Sequence, residues 1–309
     1  MRPVRLLAVS ILFVSGAVLA QPGTKVLFIG NSFTFGAGSP VRFFHPGTVT
    51  DLNDSGIGGM PALFKAFAEQ AGLDYAVSLE TQPGSGLEFH IENRLGAINR
   101  QPWDTVVMHG QSTLDFELPG DPAKIIATTQ QLADIFVAHN PDVTIYLNST
   151  WSRADQTYPE TGAWAGQPIE AMARDVRAAY DAAAANVPAV KQVIPVGEAW
   201  TRAMQYGVAD ANPYDGIDFD KLNLWTFDHY HASAFGYYLE ALVVFGTLTG
   251  RDPRALGGHE CAAFELGMSV AQASALQQVA FDELTQAGLV APDPFIPSGV
   301  VAQIACVHD

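Results

Sequence analysis

Lys25-Val26-Leu27-Phe28-Ile29-Gly30-Asn31-Ser32-Phe33-Thr34 is the stretch on which the fold turns. Lys25 to Ile29 is nearly all apolar and lacks polar alternation, as a strand covered on both faces requires. Gly30 and Asn31 end the run, and a serine follows where the chain leaves the strand. Four more runs of this kind come later: Tyr75 to Leu79, Thr105 to Met108, Val143 to Leu147 and Gln192 to Val196. Helical stretches lie between them: Met60 to Ala71, Leu87 to Asn99, Pro122 to Ala138 and Pro168 to Ala185. Strand alternating with helix predicts βαβ units, and so an α/β fold with a central five-stranded parallel sheet covered on both faces.

After the fifth run comes a segment rich in aromatic, Asp and Gly residues, Trp200 to Tyr230. Helices over Ala232 to Leu248 and Phe264 to Ala287 and a Pro-rich tail complete the chain. No internal repeat is evident. The 309 residues, 48% of them apolar, are enough for one large core.

The chain opens Met1-Arg2-Pro3-Val4-Arg5, then runs without charge from Leu6 to Ala20. A basic start, a short apolar stretch and small residues before Gln21 predict a signal peptide over residues 1–20 and a secreted or periplasmic product. The other reading, a retained membrane anchor, needs about 20 apolar residues. With 16 basic against 32 acidic residues, the formal charge of −16 argues against nucleic acid or an anionic membrane as partner. Export places Cys261 and Cys306 where a disulfide can persist; two unpaired thiols are the alternative.

In open α/β sheets ligands bind beyond the carboxyl ends of the strands. The residues there are Gly30-Asn31-Ser32, Thr81 to Gly86, His109-Gly110-Gln111-Ser112 and Asn148-Ser149-Thr150-Trp151. Ser32 is the candidate nucleophile, and a serine hydroxyl needs a base to take its proton. Asp228-His229-Tyr230-His231 supplies one: with Asp three residues ahead of His231, the carboxylate can reach the far ring nitrogen, fix the tautomer and stabilise the imidazolium. The blander readings are Ser32 as a helix cap and Asp228, His229 and His231 as metal ligands, although few other ligands lie nearby in sequence. His90 and His109 read as structural or substrate-lining.

A first-strand Gly-Asn-Ser-Phe-Thr with a late Asp-His-Tyr-His resembles the first and last blocks of the SGNH (GDSL-like) hydrolase superfamily, over Lys25 to about Gly250. The resemblance implies a flavodoxin-like three-layer α/β/α sandwich with the catalytic domain over residues 21–250, and residues 251–309 packed on it as a C-terminal helix and tail. It also implies a serine esterase mechanism with an oxyanion hole built from the serine amide, a glycine amide and a side-chain amide. By position the glycine is Gly84 or Gly86. Gly86 is favoured because it directly precedes a helix, whose N-terminus attracts anions. Two positions depart from the pattern. Gln111 stands where the family shows Asn, on a stem one methylene longer, and Asn31 stands where Asp is common.

The function expected is an exported esterase acting on a small-molecule or carbohydrate ester, with acetyl removal from carbohydrate as one form. No cofactor and no metal are expected. Asn148 and Trp151 are expected to contact substrate, with Trp151 stacking on a sugar ring. The alternatives are a non-catalytic carbohydrate- or ligand-binding protein on the same fold and a lipase or phospholipase of the same superfamily.

Overall fold

The computed structural model describes residues 23–291. The expected signal peptide and Cys306, with the bridge expected of it, lie outside them. The chain runs β1 (Thr24–Gly30), α1 (Ser32–Phe35), β2 (Thr50–Asp51), α2 (Gly59–Gln70), β3 (Tyr75–Thr81), α3 (Leu87–Asn93), α4 (Leu95–Ile98), β4 (Thr105–Met108) and α5 (Ala123–His139). It continues β5 (Thr144–Ser149), α6 (Ala154–Thr157), α7 (Glu170–Asn186), β6 (Val190–Pro195), α8 (Val196–Gln205), α9 (Ala234–Thr249), α10 (Cys261–Glu265) and α11 (Val270–Gln286).

All strand pairs are parallel, in the order β2-β3-β1-β4-β5-β6. Apart from β2, this is the flavodoxin order, in which the direction of winding reverses at β1. Alternate residues of β1 serve opposite faces. Val26 and Phe28 join the core beneath α2, α8, α9 and α11, while Leu27 and Ile29 join the core beneath α3, α5 and α7. The result is a three-layer α/β/α sandwich. On the first face Arg202 of α8 donates to Glu283 of α11, and Gln277 of α11 donates to Tyr238 of α9.

The structure corrects the predicted elements in four places. The sheet has six strands because β2 pairs Thr50 with Ser78 and Asp51 with Leu79 at an edge, where two polar residues suffice and no apolar run marks them. The helix expected over Leu87 to Asn99 breaks at Arg94, which leaves helical φ (−126°) as its side chain reaches Glu80 and the Leu52 carbonyl. The helix expected over Phe264 to Ala287 is α10 and α11, separated by Gly267 at φ 75° and restarted by a capping box of Ser269 and Gln272. Finally, Val196, taken as the end of the fifth strand, opens α8, which runs to Gln205, into the segment rich in aromatic, Asp and Gly residues.

Candidate active site

The winding reverses at β1, between the ends of β1 and β4, the place where open α/β sheets take their ligands, and both ends contribute candidate residues. Asn31 caps α1, its Oδ1 accepting from the Phe33 amide at 3.0 Å. Its Nδ2 donates to the Ser85 carbonyl at 2.8 Å and the Gly110 carbonyl at 3.2 Å. One side chain thus ties the end of β1 to the loops after β3 and β4. An amide can do this where an aspartate, which only accepts when ionised, would face two carbonyl oxygens. That is the physical reason for Asn at this position.

Ser32 is therefore the first residue of α1, not its cap, and only 5% of its surface is exposed. At the first helical position its amide has no intrahelical acceptor. Its carbonyl accepts from the Tyr237 hydroxyl of α9 at 3.0 Å, across 205 residues of chain. Tyr237 lies in the helix that begins three residues after His231, so this bond holds α1 against the element that follows the candidate base.

Asp228 lies in a tight turn closed by the Thr226 amide on the His231 carbonyl and the His229 amide on the Thr226 carbonyl, with His229 at φ 56°. Asp228 Oδ1 accepts from Thr226 Oγ1 at 2.7 Å and from the amides of His231 and Tyr230 at 2.9 and 3.0 Å. Oδ2 accepts from His231 Nδ1 at 2.6 Å. Burial pushes the carboxyl up, but the bonds from His231, Thr226 and the two amides outweigh it and hold Asp228 down at about 2. An ionised acceptor requires the proton on Nδ1, so Nε2 of the neutral ring carries a bare lone pair. Nε2 is shielded from solvent and has no hydrogen-bond partner. The His231 ring packs 4.0 Å from that of Tyr230 and 5.9 Å from that of Phe33, the residue after Ser32. No hydrogen bond joins Ser32 to His231.

Gly86 is the N-cap of α3, and Gly84 before it takes φ 68° in the turn. Gln111 begins a turn in the loop after β4, and its Oε1 accepts from Ser112 Oγ at 3.0 Å and the Thr113 amide at 3.4 Å. With the oxygen engaged by two donors, the NH₂ end is the one left to present.

His109 is fully buried. Nδ1 donates to the Gly110 carbonyl at 2.9 Å, so Nε2 accepts from Thr34 Oγ1 at 2.8 Å. Burial lowers it to about 4, helped by His90 and only partly opposed by the Gly110 bond, and it is a neutral strut beneath α1. His90 is buried against Glu80, which also accepts from Arg94 and Asn53. Both histidines sit in the framework, in line with the structural alternative.

The two expected substrate contacts are corrected. Trp151 has no exposed surface; it is stacked between Phe33 at 4.1 Å and Trp200 at 4.6 Å, with Nε1 donating to the Tyr230 carbonyl. Neither face is open to a sugar. Asn148 is 1% exposed and donates to Glu240 of α9 at 2.7 Å. The residue after a strand end points into the crevice only if no aromatic neighbour claims it, and here Phe33 and Trp200 do. His229 packs against Tyr214, with ring centroids 4.3 Å apart and the planes tilted by 46°, and among the described residues no group of three or more His, Cys, Asp or Glu is gathered for a metal ion. No described helix is long and apolar enough to cross a membrane.

Sequence reasoning missed Tyr237 and Arg153. Tyr237 is one aromatic in an apolar helix and carries no sequence signal. Arg153 had one: it is among only 16 basic residues and lies just beyond a strand's carboxyl end.

No protein-family model matches the chain, and no curated protein matches it. Among solved structures it is similar to a DUF4886 family protein from Bacteroides uniformis, with TM-score 0.59 and 19% identity over 87% of this chain and 97% of the other. It is also similar to a protein from Parabacteroides merdae described as a GDSL-like lipase, with TM-score 0.51 and 14% identity over 74% and 97%. The fold is SGNH-like.

Proposed function

We propose that the protein is an exported serine hydrolase of the SGNH type that cleaves esters, with Ser32 as nucleophile, His231 as general base and acid, and Asp228 as the carboxylate that orients the ring. The observation that carries this reading is the Asp228–His231 pair, with a 2.6 Å bond to Nδ1 and a solvent-shielded Nε2 that nothing occupies. His109 has both ring nitrogens paired, whereas His90 Nε2 is also buried without a partner, so the reading rests on the Asp228–His231 bond taken together with the place of Ser32 at the end of β1.

In this reading Ser32 Oγ attacks the acyl carbon as Nε2 takes its proton, and the carbonyl oxygen becomes an oxyanion. The amides of Ser32 and Gly86 and Nε2 of Gln111 donate to it, each such donor being worth about 10²–10³ in kcat. His231 Nε2 then gives that proton to the leaving alcohol, and water, activated by the same nitrogen, attacks the acyl-enzyme and releases the acid. The substrate we favour is a small acyl ester of a carbohydrate. A lipase-like preference is the second reading. It is favoured by Phe227, 85% exposed beside Asp228, and by exposed Phe116 and Leu118 in the loop after β4.

A fluorophosphonate probe followed by peptide mapping tests the nucleophile. Labelling is expected at Ser32, and Ser32→Ala is expected to lose both labelling and ester hydrolysis while unfolding at the wild-type temperature. Labelling elsewhere, or near-wild-type turnover in Ser32→Ala, overturns the reading. A p-nitrophenyl ester series from acetate upward separates the two substrate classes.

A further inference from the structure

Arg153 occupies the space between the loop that bears Gln111 and the loop that bears His231. Its Nε and Nη2 donate to the two oxygens of Asp155 at 3.0 and 2.6 Å, so its charge is already met. The remaining arm, Nη1, donates to Ser112 Oγ at 3.2 Å. Ser112, 2% exposed, donates its own hydroxyl hydrogen bond to Gln111 Oε1 at 3.0 Å. The guanidinium carbon lies 3.6 Å over the Tyr230 ring, which in turn packs at 4.0 Å on His231. The Asp155 amide donates to the His229 carbonyl at 3.2 Å, so the same segment is pinned to the turn that holds the base.

We infer that Arg153 is a positioning residue: through Ser112 it fixes the Gln111 side chain with its oxygen turned back and its NH₂ turned out, using the base-bearing loop as its anchor. The inference rests on the esterase reading for its catalytic consequence, though not for its geometry. An arginine suits the task because its planar fork makes the Asp155 and Ser112 bonds at once while its face lies on an aromatic ring. Lysine, a point charge on a flexible stem, cannot do all three. Ser112 matters as the relay: with Arg153 donating to its oxygen, its one hydrogen is free to go to Gln111. Without that pair of bonds only the longer Thr113 amide contact, at 3.4 Å, holds Oε1, and the amide is freer to rotate and turn an acceptor toward a developing negative charge.

The test is a double-mutant cycle on the full chain. Arg153→Gln is expected to lower kcat about tenfold with KM changed less than about twofold, because the donor acts in the transition state. In a Gln111→Ala background the same substitution is expected to cost no more than about twofold, since the group it acts through is gone. Ser112→Ala, a small change at the relay, is expected to reproduce the loss and serves if Arg153→Gln does not fold. Full multiplication of the two losses, a rise in KM with kcat held, or wild-type kcat in Ser112→Ala overturns the inference. A second measurement needs no turnover. The Gln111 side-chain NH₂ resonances, identified by their absence in Gln111→Ala, are expected to shift and broaden in Ser112→Ala. Unchanged resonances overturn the inference whether or not an ester is cleaved, and failure of Ser32 labelling reports separately on the esterase reading.

Discussion

Replacing Glu240 by Gln exchanges a buried acid for its amide at a site where the proton, not the shape, is at issue. Glu240 lies in α9 with no exposed surface. Asn148 Nδ2 donates to its Oε1 at 2.7 Å, while Glu240 Oε2 and Asn148 Oδ1 are both buried without partners. Burial raises the carboxyl to about 8 from its ordinary 4.5, against the Asn148 bond, which pulls it down. At neutral pH the folded protein therefore holds a neutral acid, which can donate from one oxygen, and Asn148 Oδ1 is an unfilled acceptor on the same partner. The unfolded chain releases this proton near 4.5 and the folded one near 8. Stability is thus fully present below the lower value and falls by about 1.36 kcal/mol per pH unit as pH rises, until the folded group also ionises. At pH 7, two and a half units above the unfolded value, the loss is roughly 3 kcal/mol. Glutamine keeps an oxygen for Asn148 Nδ2 and an NH₂ for Oδ1, and has no proton to lose. Glu240→Gln is therefore expected to match wild type near pH 4, to exceed it by roughly 3 kcal/mol at pH 7, and to gain little more above pH 8. Urea unfolding of both proteins at pH 4, 7 and 9 measures this. A stability difference that is the same at all three pH values refutes the neutral, buried acid.

Asp228→Asn is expected to leave KM nearly unchanged and lower kcat by about 10³–10⁴, because an NH₂ facing Nδ1 moves the ring proton to Nε2; a loss under tenfold argues against His231 as base. Gly30→Ala places a Cβ on Thr34 Oγ1 and His109 Nε2 and is expected to destabilise by about 1–3 kcal/mol in urea unfolding, with no change counting against the strut beneath α1. Trp151→Ala is expected to cost about 3–5 kcal/mol of stability, as removal of a sandwiched core aromatic does, and a change in sugar preference without loss of stability would show that the ring reaches substrate after all.

The strands that build the layers are legible because burial on both faces forces continuous apolar runs, and β1, β3, β4, β5 and β6 each carry one. The edge strand β2 has no such obligation and left no trace. In the site, Ser32, Asp228 and His231 could be singled out because each sits at a chain position with a local signature: the end of a buried run, or an Asp three residues before a His. Gln111 follows a strand end as well, but which end of its amide faces outward depends on Ser112 beside it and on Arg153 in the loop after β5. Trp151 failed as a predicted contact for the same reason in reverse. Its place after β5 pointed to the crevice, while Phe33 and Trp200, far off in sequence, had already covered both its faces. Local order in the chain reports which residues reach the sheet's edge; which way they turn there is decided by partners the sequence brings in from elsewhere.

The Tyr237 bond to the Ser32 carbonyl has a temporal side. It closes a loop of 205 residues, and contacts of such long span form late because the chain must first lose the entropy of bringing its ends together. During synthesis all six strands, and Ser32 with them, emerge before either His231 or Tyr237. A chain stopped short of residue 231 has the whole sheet and its serine, yet neither the imidazole nor the phenol that braces α1. On the proposed mechanism, hydrolytic competence therefore comes only with α9, whose docking brings Tyr237 to the first strand's end, and a chain ending before residue 231 is expected to be inert toward esters.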